Sequence, residues 1–156
     1  MKLIFQKIQN IFVEEAQNIN TKIKGINFLE ILKFKLLEKI VEIEEINTYK
    51  SSENAQNEFI YENDNLNIKL KLSFIKFANS KPASYKFIEN DILIICLFKT
   101  IEINIEDYKT KKNHIFKLNN NSGITMPKNT KCKIISNQDT FLIEIFYEDK
   151  SNDIEN

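Results

Sequence analysis

His114 is the sole histidine in a chain of 156 residues. Any acid–base chemistry near neutral pH therefore has one imidazole to draw on. It sits in Asn113-His-Ile-Phe116, just past a polar stretch, where a general base or an ordinary rim histidine would both fit. The two cysteines, Cys96 and Cys132, lie far apart and form no Cys-x-x-Cys pair. Cys132 stands between Lys131 and Lys133. In a strand those lysines point to the opposite face, so they need not activate the thiol, which reads as buried and structural rather than as a reactive group at a barrel mouth. Cys96, inside the apolar run Ile92–Leu97, reads as structural too. Tyr85, Tyr108 and Tyr147 could line a cavity, although aromatic residues in β-proteins usually pack the core or rim. Ser84 has no His or Asp arranged around it and no Gly-x-Ser-x-Gly is present, so a nucleophilic triad has no support. One thiol and one imidazole do not make a divalent-metal site, and neither a metal nor another cofactor is expected.

Composition narrows the partners. All 22 basic residues are Lys, against 22 Asp and Glu, and the net charge is zero. Lysine neutralises a phosphate as a point charge, but the bidentate grip of arginine is missing. The wealth of Lys, Asn, Ile and Phe matches A/T-biased coding, and the chemical consequence holds whatever its origin. Charges of both signs are interspersed, so no nucleic-acid footprint is expected. No run of 18 apolar residues occurs, and a membrane span is not expected. The N-terminal apolar residues are broken by Gln6, Lys7, Gln9 and Asn10, unlike a secretory core. A cytoplasmic protein with reduced thiols is the expectation.

The elements that must position these residues are mainly strands. Apolar runs at 92–97, 101–105, 114–118, 124–126, 132–136 and 141–146 recur about every ten residues between Asn/Asp/Ser/Gly/Lys turns. That spacing predicts antiparallel strands in a sandwich or barrel. Ile101–Ile105 alternates as a half-buried strand does, whereas Ile92–Leu97 is apolar throughout and predicts burial on both faces. Ile68, Leu70, Leu72 and Phe74 share one face of another strand; Lys69, Lys71 and Lys76 read as edge-strand protection. Phe59-Ile-Tyr61 allows one short strand. Residues 1–20 predict an amphipathic helix belonging to the same domain as a barrel over 21–150, with 151–156 a frayed tail. Residues 26–46 carry two patterns: a helical stripe (Leu29, Leu32, Leu36, Ile40, Ile43) and an alternation (Ile26, Phe28, Leu32, Phe34, Leu36). The surrounding β architecture favours strands at 27–34 and 39–46.

The order of these strands and turns resembles a cupin: a mainly β, antiparallel jelly-roll barrel with an N-terminal helix. Ile94-Ile-Cys-Leu97, Gly123-Ile-Thr-Met-Pro127 and Tyr147-Glu-Asp149 resemble, within cupins, the WxcM-like sugar 3,4-ketoisomerases, which act on dTDP-linked keto sugars. The likeness runs over about residues 67–154. It implies a nucleotide-sugar or other small polar ligand; a homodimer is a further expectation, independent of the resemblance. It also places Tyr85-Lys-Phe87 where that family carries its His-x-His pair, Lys99 where a Gly is expected, Asn121 and Asn129 at two further Gly positions, and Cys132 at the second-motif His of metal-binding cupins. The arginines that grip the diphosphate have no counterpart. The resemblance thus implies a divergent member that has lost the isomerisation, with a mouth lined by Tyr85, Phe87 and Cys132 and with His114 and Tyr85 as the remaining catalytic candidates. The alternative is a non-catalytic binding, regulatory or structural module, with the N-terminal helix or an edge strand forming a dimer.

Overall fold

The computed structural model describes residues 3–43, 46, 58–75, 84–107, 109–136 and 138–148. Lys76, the turn expected at Pro82, Tyr108 and the 151–156 tail lie outside them. Two helices lead the chain, α1 (Leu3–Gln17) and α2 (Gly25–Ile40). In α1, Ile4, Phe5, Ile8, Phe12 and Ala16 are buried at three- and four-residue steps, the single stripe of an amphipathic helix.

The second helix corrects the strand expected at 27–34 and the start of the one expected at 39–46, of which 41–43 and 46 form no strand and 44–45 lie outside the described residues. Burial follows Phe28, Leu29, Leu32, Leu36 and Ile40, a helical stripe. A strand would have set Phe34 beside Leu32 and Leu36 on the buried face, yet Phe34 is 63% exposed. Tertiary burial of one stripe decides between two patterns that the sequence carries at once.

Nine strands follow among the described residues: β1 (Glu58–Asn63), β2 (Ile68–Ile75), β3 (Lys86–Phe87), β4 (Asp91–Phe98), β5 (Ile101–Asp107), β6 (Asn113–Leu118), β7 (Ser122–Met126), β8 (Thr130–Ile135) and β9 (Thr140–Tyr147). They form a five-stranded sheet in the order β1-β2-β9-β4-β7 and a four-stranded sheet in the order β3-β8-β5-β6. Every pairing is antiparallel. With β1 set aside as an added edge, β2-β9-β4-β7 facing β3-β8-β5-β6 is the strand order of a jelly roll. The fold class rests on this connectivity. Because β1 pairs along the outer side of β2, β2 is an interior strand. Lys69 and Lys71 therefore do not protect an edge, as their alternation had suggested.

Two apolar layers hold the molecule together, one on each face of the larger sheet. Leu93, Ile95 and Leu97 of β4 and Phe141, Ile143 and Ile145 of β9 pack against α1 and α2. Phe5 meets Phe141 edge-on at 5.8 Å and Phe28 meets Tyr147 at 5.7 Å. On the other face, Ile92, Ile94 and Cys96 of β4 and Leu142 of β9 meet Ile101, Ile103 and Cys132 of the smaller sheet. The central strands are thus apolar on both faces because helices cover one side and a sheet the other. Gly123 lets the helical layer approach closely. A Cβ there would lie 3.0 Å from Ile95 Cγ1 and 3.3 Å from the Lys33 side chain.

The loops close with left-handed residues at the positions the resemblance marked as glycines. Lys99, Asn121 and Asn129 have φ of 68°, 59° and 70°. The Asn121 N–H donates to the Cys96 carbonyl and the Asn129 N–H to the Ile88 carbonyl, both at 2.7 Å. Asn accepts this conformation more readily than other side chains, so these two turns need no glycine.

Candidate functional site

Strand parity decides which side chains look between the sheets. Across the smaller sheet, His114, Ile105, Cys132 and Lys86 are successive register partners and share the inner face. Phe87 pairs with Lys131 and belongs to the outer face. Tyr85 sits beside Lys133, whose Nζ lies 4.7 Å above its ring. Of the expected lining set, Cys132 is therefore inside, while Tyr85 and Phe87 are 39% and 47% exposed. His114 lies on β6, two strands from Cys132, and is exposed at the edge of the sheet. These four residues are not brought to one place.

Most of the space between the sheets is closed. Ile94, Cys96, Ile101, Ile103, Met126 and Leu142 are buried around Cys132. The polar part lies along one margin, where β2 and β9 of one sheet face β8 and β3 of the other. Glu144 of β9 alternates with Leu142 and Phe146, so it faces this margin. Its register partner is Lys71 of β2. The Lys71 Nζ also lies 3.7 Å from a Glu58 carboxylate oxygen on β1, and Lys69 sits 6.0 Å from the Phe146 ring. Lys86 enters from the facing sheet.

Electrostatics tie these groups into a cluster. Burial pushes the Glu144 carboxyl above its ordinary value, and the charges of Lys71 and Lys86 pull against that shift while Glu58 adds to it. Burial is also the main cause that lifts the Cys132 thiol to about 11, with Glu144 raising it further and Lys86 opposing. A thiol held there is a poor nucleophile near neutral pH. Among the described residues no three His, Cys, Asp or Glu side chains gather as a metal-holding group. The donors that these residues offer do not fit a resident metal.

Glu144, Lys71 and Lys86 were missed as site residues from sequence, although one signal was there. Glu144 is a single acid inside the apolar run Phe141–Tyr147, and burying a charge in such a run is costly without partners. Lys86 and its neighbours Tyr85 and Phe87 differ by one residue, and that difference inverts the face.

No family model matches this chain, and no curated protein is significantly similar to it. Solved structures are similar in fold. A protein from Neisseria meningitidis aligns at 9% identity and a TM-score of 0.47, over 62% of this chain and 88% of its own. A cupin superfamily protein from Desulfitobacterium hafniense aligns at 14% identity and 0.47, over 65% and 84%. An oxalate decarboxylase aligns at 11% identity and 0.48, over 64% of this chain; the match spans only 28% of the decarboxylase. At these scores none of the likenesses carries a residue role or a ligand over to this chain. No helix among the described residues is long and apolar enough to cross a membrane.

Proposed function

We propose that this chain is a ligand-binding jelly-roll module without isomerase activity, and that it takes a small anionic ligand at the β2/β9/β8/β3 margin. One observation carries the reading: Lys71 and Lys86, from facing sheets, both act on the partly exposed Glu144. Two lysines can neutralise phosphate oxygens as point charges, and a carboxylate between them accepts hydrogen bonds from sugar hydroxyls. That combination suits a nucleotide sugar, the class implied by the resemblance of the strand and turn motifs. The sole imidazole stands on β6, away from this margin, so the proton transfers of a 3,4-ketoisomerisation lack their usual base. Titration with dTDP-glucose tests the reading by calorimetry. Binding is expected to weaken with salt and to drop in Lys71→Ala and in Lys86→Ala, with no turnover of dTDP-4-keto-6-deoxyglucose. Absence of binding at millimolar sugar nucleotide, or binding indifferent to both lysine changes, would defeat it.

A second reading, an active enzyme, has one observation in its favour. The upward displacement of the Glu144 carboxyl moves it toward the range of a working general acid or base. Turnover of the keto sugar that vanishes in Glu144→Gln but survives His114→Ala would establish this second reading.

A further inference from the structure

The two sheets present four edges, and three of them are guarded. β3 offers two residues only. β7 is flanked by α2, where Thr125 donates to Glu30 and Lys33 lies against Gly123. β1 has one exposed apolar residue, Ile60, and antiparallel self-pairing about it would set Glu58 against Glu62 of a second copy. Like charges placed opposite one another oppose such pairing. These are ordinary protections of a sheet edge.

β6 is the least guarded, with one charge, Lys117, near its end. It ends the order β3-β8-β5-β6, is paired on one side by β5, and is exposed from Asn113 to Lys117. Two of its apolar residues, Ile115 and Phe116, are 68% and 43% exposed. We propose that β6 pairs antiparallel with β6 of a second copy, about a two-fold axis through Ile115, joining two four-stranded sheets into one. Parity puts the axis on a residue rather than between two, and Ile115 is the most exposed apolar residue of the strand. Extending a sheet keeps each face on its own side, so a residue must pair with one of the same parity. Centring on Ile115 sets Ile115 against Ile115, His114 against Phe116 and Asn113 against Lys117. No charge meets a like charge, and an imidazole lies beside an aromatic ring on each side of the axis. Within one chain His114 and Phe116 already lie 6.5 Å apart between ring centres, so the rings form one exposed aromatic row.

Cysteine cross-linking tests the axis directly. Opposed residues on antiparallel strands have Cα atoms about 4.5–5.5 Å apart, within the reach of a disulfide. Ile115→Cys should therefore cross-link two full-length chains on mild oxidation. Lys117→Cys should not, because the two copies of position 117 would lie roughly 14 Å apart along the strands. Both native cysteines are buried, which keeps the background low. Sedimentation equilibrium of the unmodified chain should show a dimer. Ile115→Lys sets two ammonium groups on the axis and should weaken it roughly a hundredfold or more, with unchanged circular dichroism. A monomer at every concentration would overturn the proposal. So would a dimer unmoved by Ile115→Lys, or cross-linking at 117 in preference to 115.

Discussion

Lys71 and Glu144 are direct register partners on neighbouring strands, yet the Glu144 carboxyl is held above its ordinary value of 4.5. Loss of hydration between the two sheets outweighs the nearby ammonium groups. The folded chain therefore keeps a proton that the unfolded chain releases as pH climbs above 4.5. Stability falls across the window from that ordinary value up to the raised one. In Glu144→Gln this fall should be absent, so the variant melts higher than the parent at pH 7 and close to it at pH 4. Thermal melts at both pH values check the sign. A variant less stable than the parent at pH 7 would mean that attraction to Lys71 and Lys86 dominates.

The Cys132 thiol, held at about 11 by burial and by Glu144, should be inert. At pH 8 only about one thiol in a thousand would be ionised at that value. Iodoacetamide labelling followed by mass spectrometry should leave Cys132 unmodified in the folded chain while labelling it readily in urea. Glu144→Gln removes one cause of the shift and should make the thiol modestly more reactive. Rapid labelling of the folded parent would contradict the closed interior.

The sheets could be read from sequence because their signal is local. Ile92–Leu97 is apolar at every position, and the structure buries each of its residues; Ile101 and Ile103 are buried with Glu102 between them partly exposed. Two kinds of information were not local. Residues 25–40 satisfy a helical and an alternating pattern together, and only packing against the larger sheet chooses. For the candidate site the difficulty was parity: Lys86 enters the margin because it pairs with Cys132, and its neighbours Tyr85 and Phe87 consequently leave it. That β2 lies inside a sheet also depends on a partner, β1, whose polar sequence barely announces a strand. The clearest local signal of the margin is Glu144, a lone acid in an apolar strand.

Lys99 marks a place where the chain can be stabilised. Its φ of 68° lies in the left-handed region, which costs a side-chain-bearing residue about 1–2 kcal/mol. Glycine removes that cost but adds backbone freedom to the unfolded chain, an opposing effect of about 0.5–1 kcal/mol. Lys99→Gly should therefore raise the melting temperature by up to roughly 4 °C, the scale expected for about 1 kcal/mol in a domain of this size. Asn121→Gly should change it less, because Asn tolerates φ of 59° better than Lys tolerates 68°. Differential scanning calorimetry of the two variants compares them. A drop in Lys99→Gly would show that the lysine side chain contributes more than the backbone strain removes.

The assignment of α2 is tested by two residues two positions apart. Leu32 is fully buried against the larger sheet, whereas Phe34 is 63% exposed, with Lys33 Nζ 5.0 Å from its ring. In a strand the two side chains would share a face and respond alike to truncation. In the helix they lie on opposite sides. Leu32→Ala removes three carbons from a packed layer and should cost about 2–5 kcal/mol, including the cavity it leaves. Phe34→Ala takes away a ring already in water, and should cost within about 0.5 kcal/mol. Urea unfolding gives both values from shifts in the midpoint at constant slope. Equal losses at the two positions would return residues 27–34 to a strand and remove the helical layer that Gly123 admits against β4 and β7.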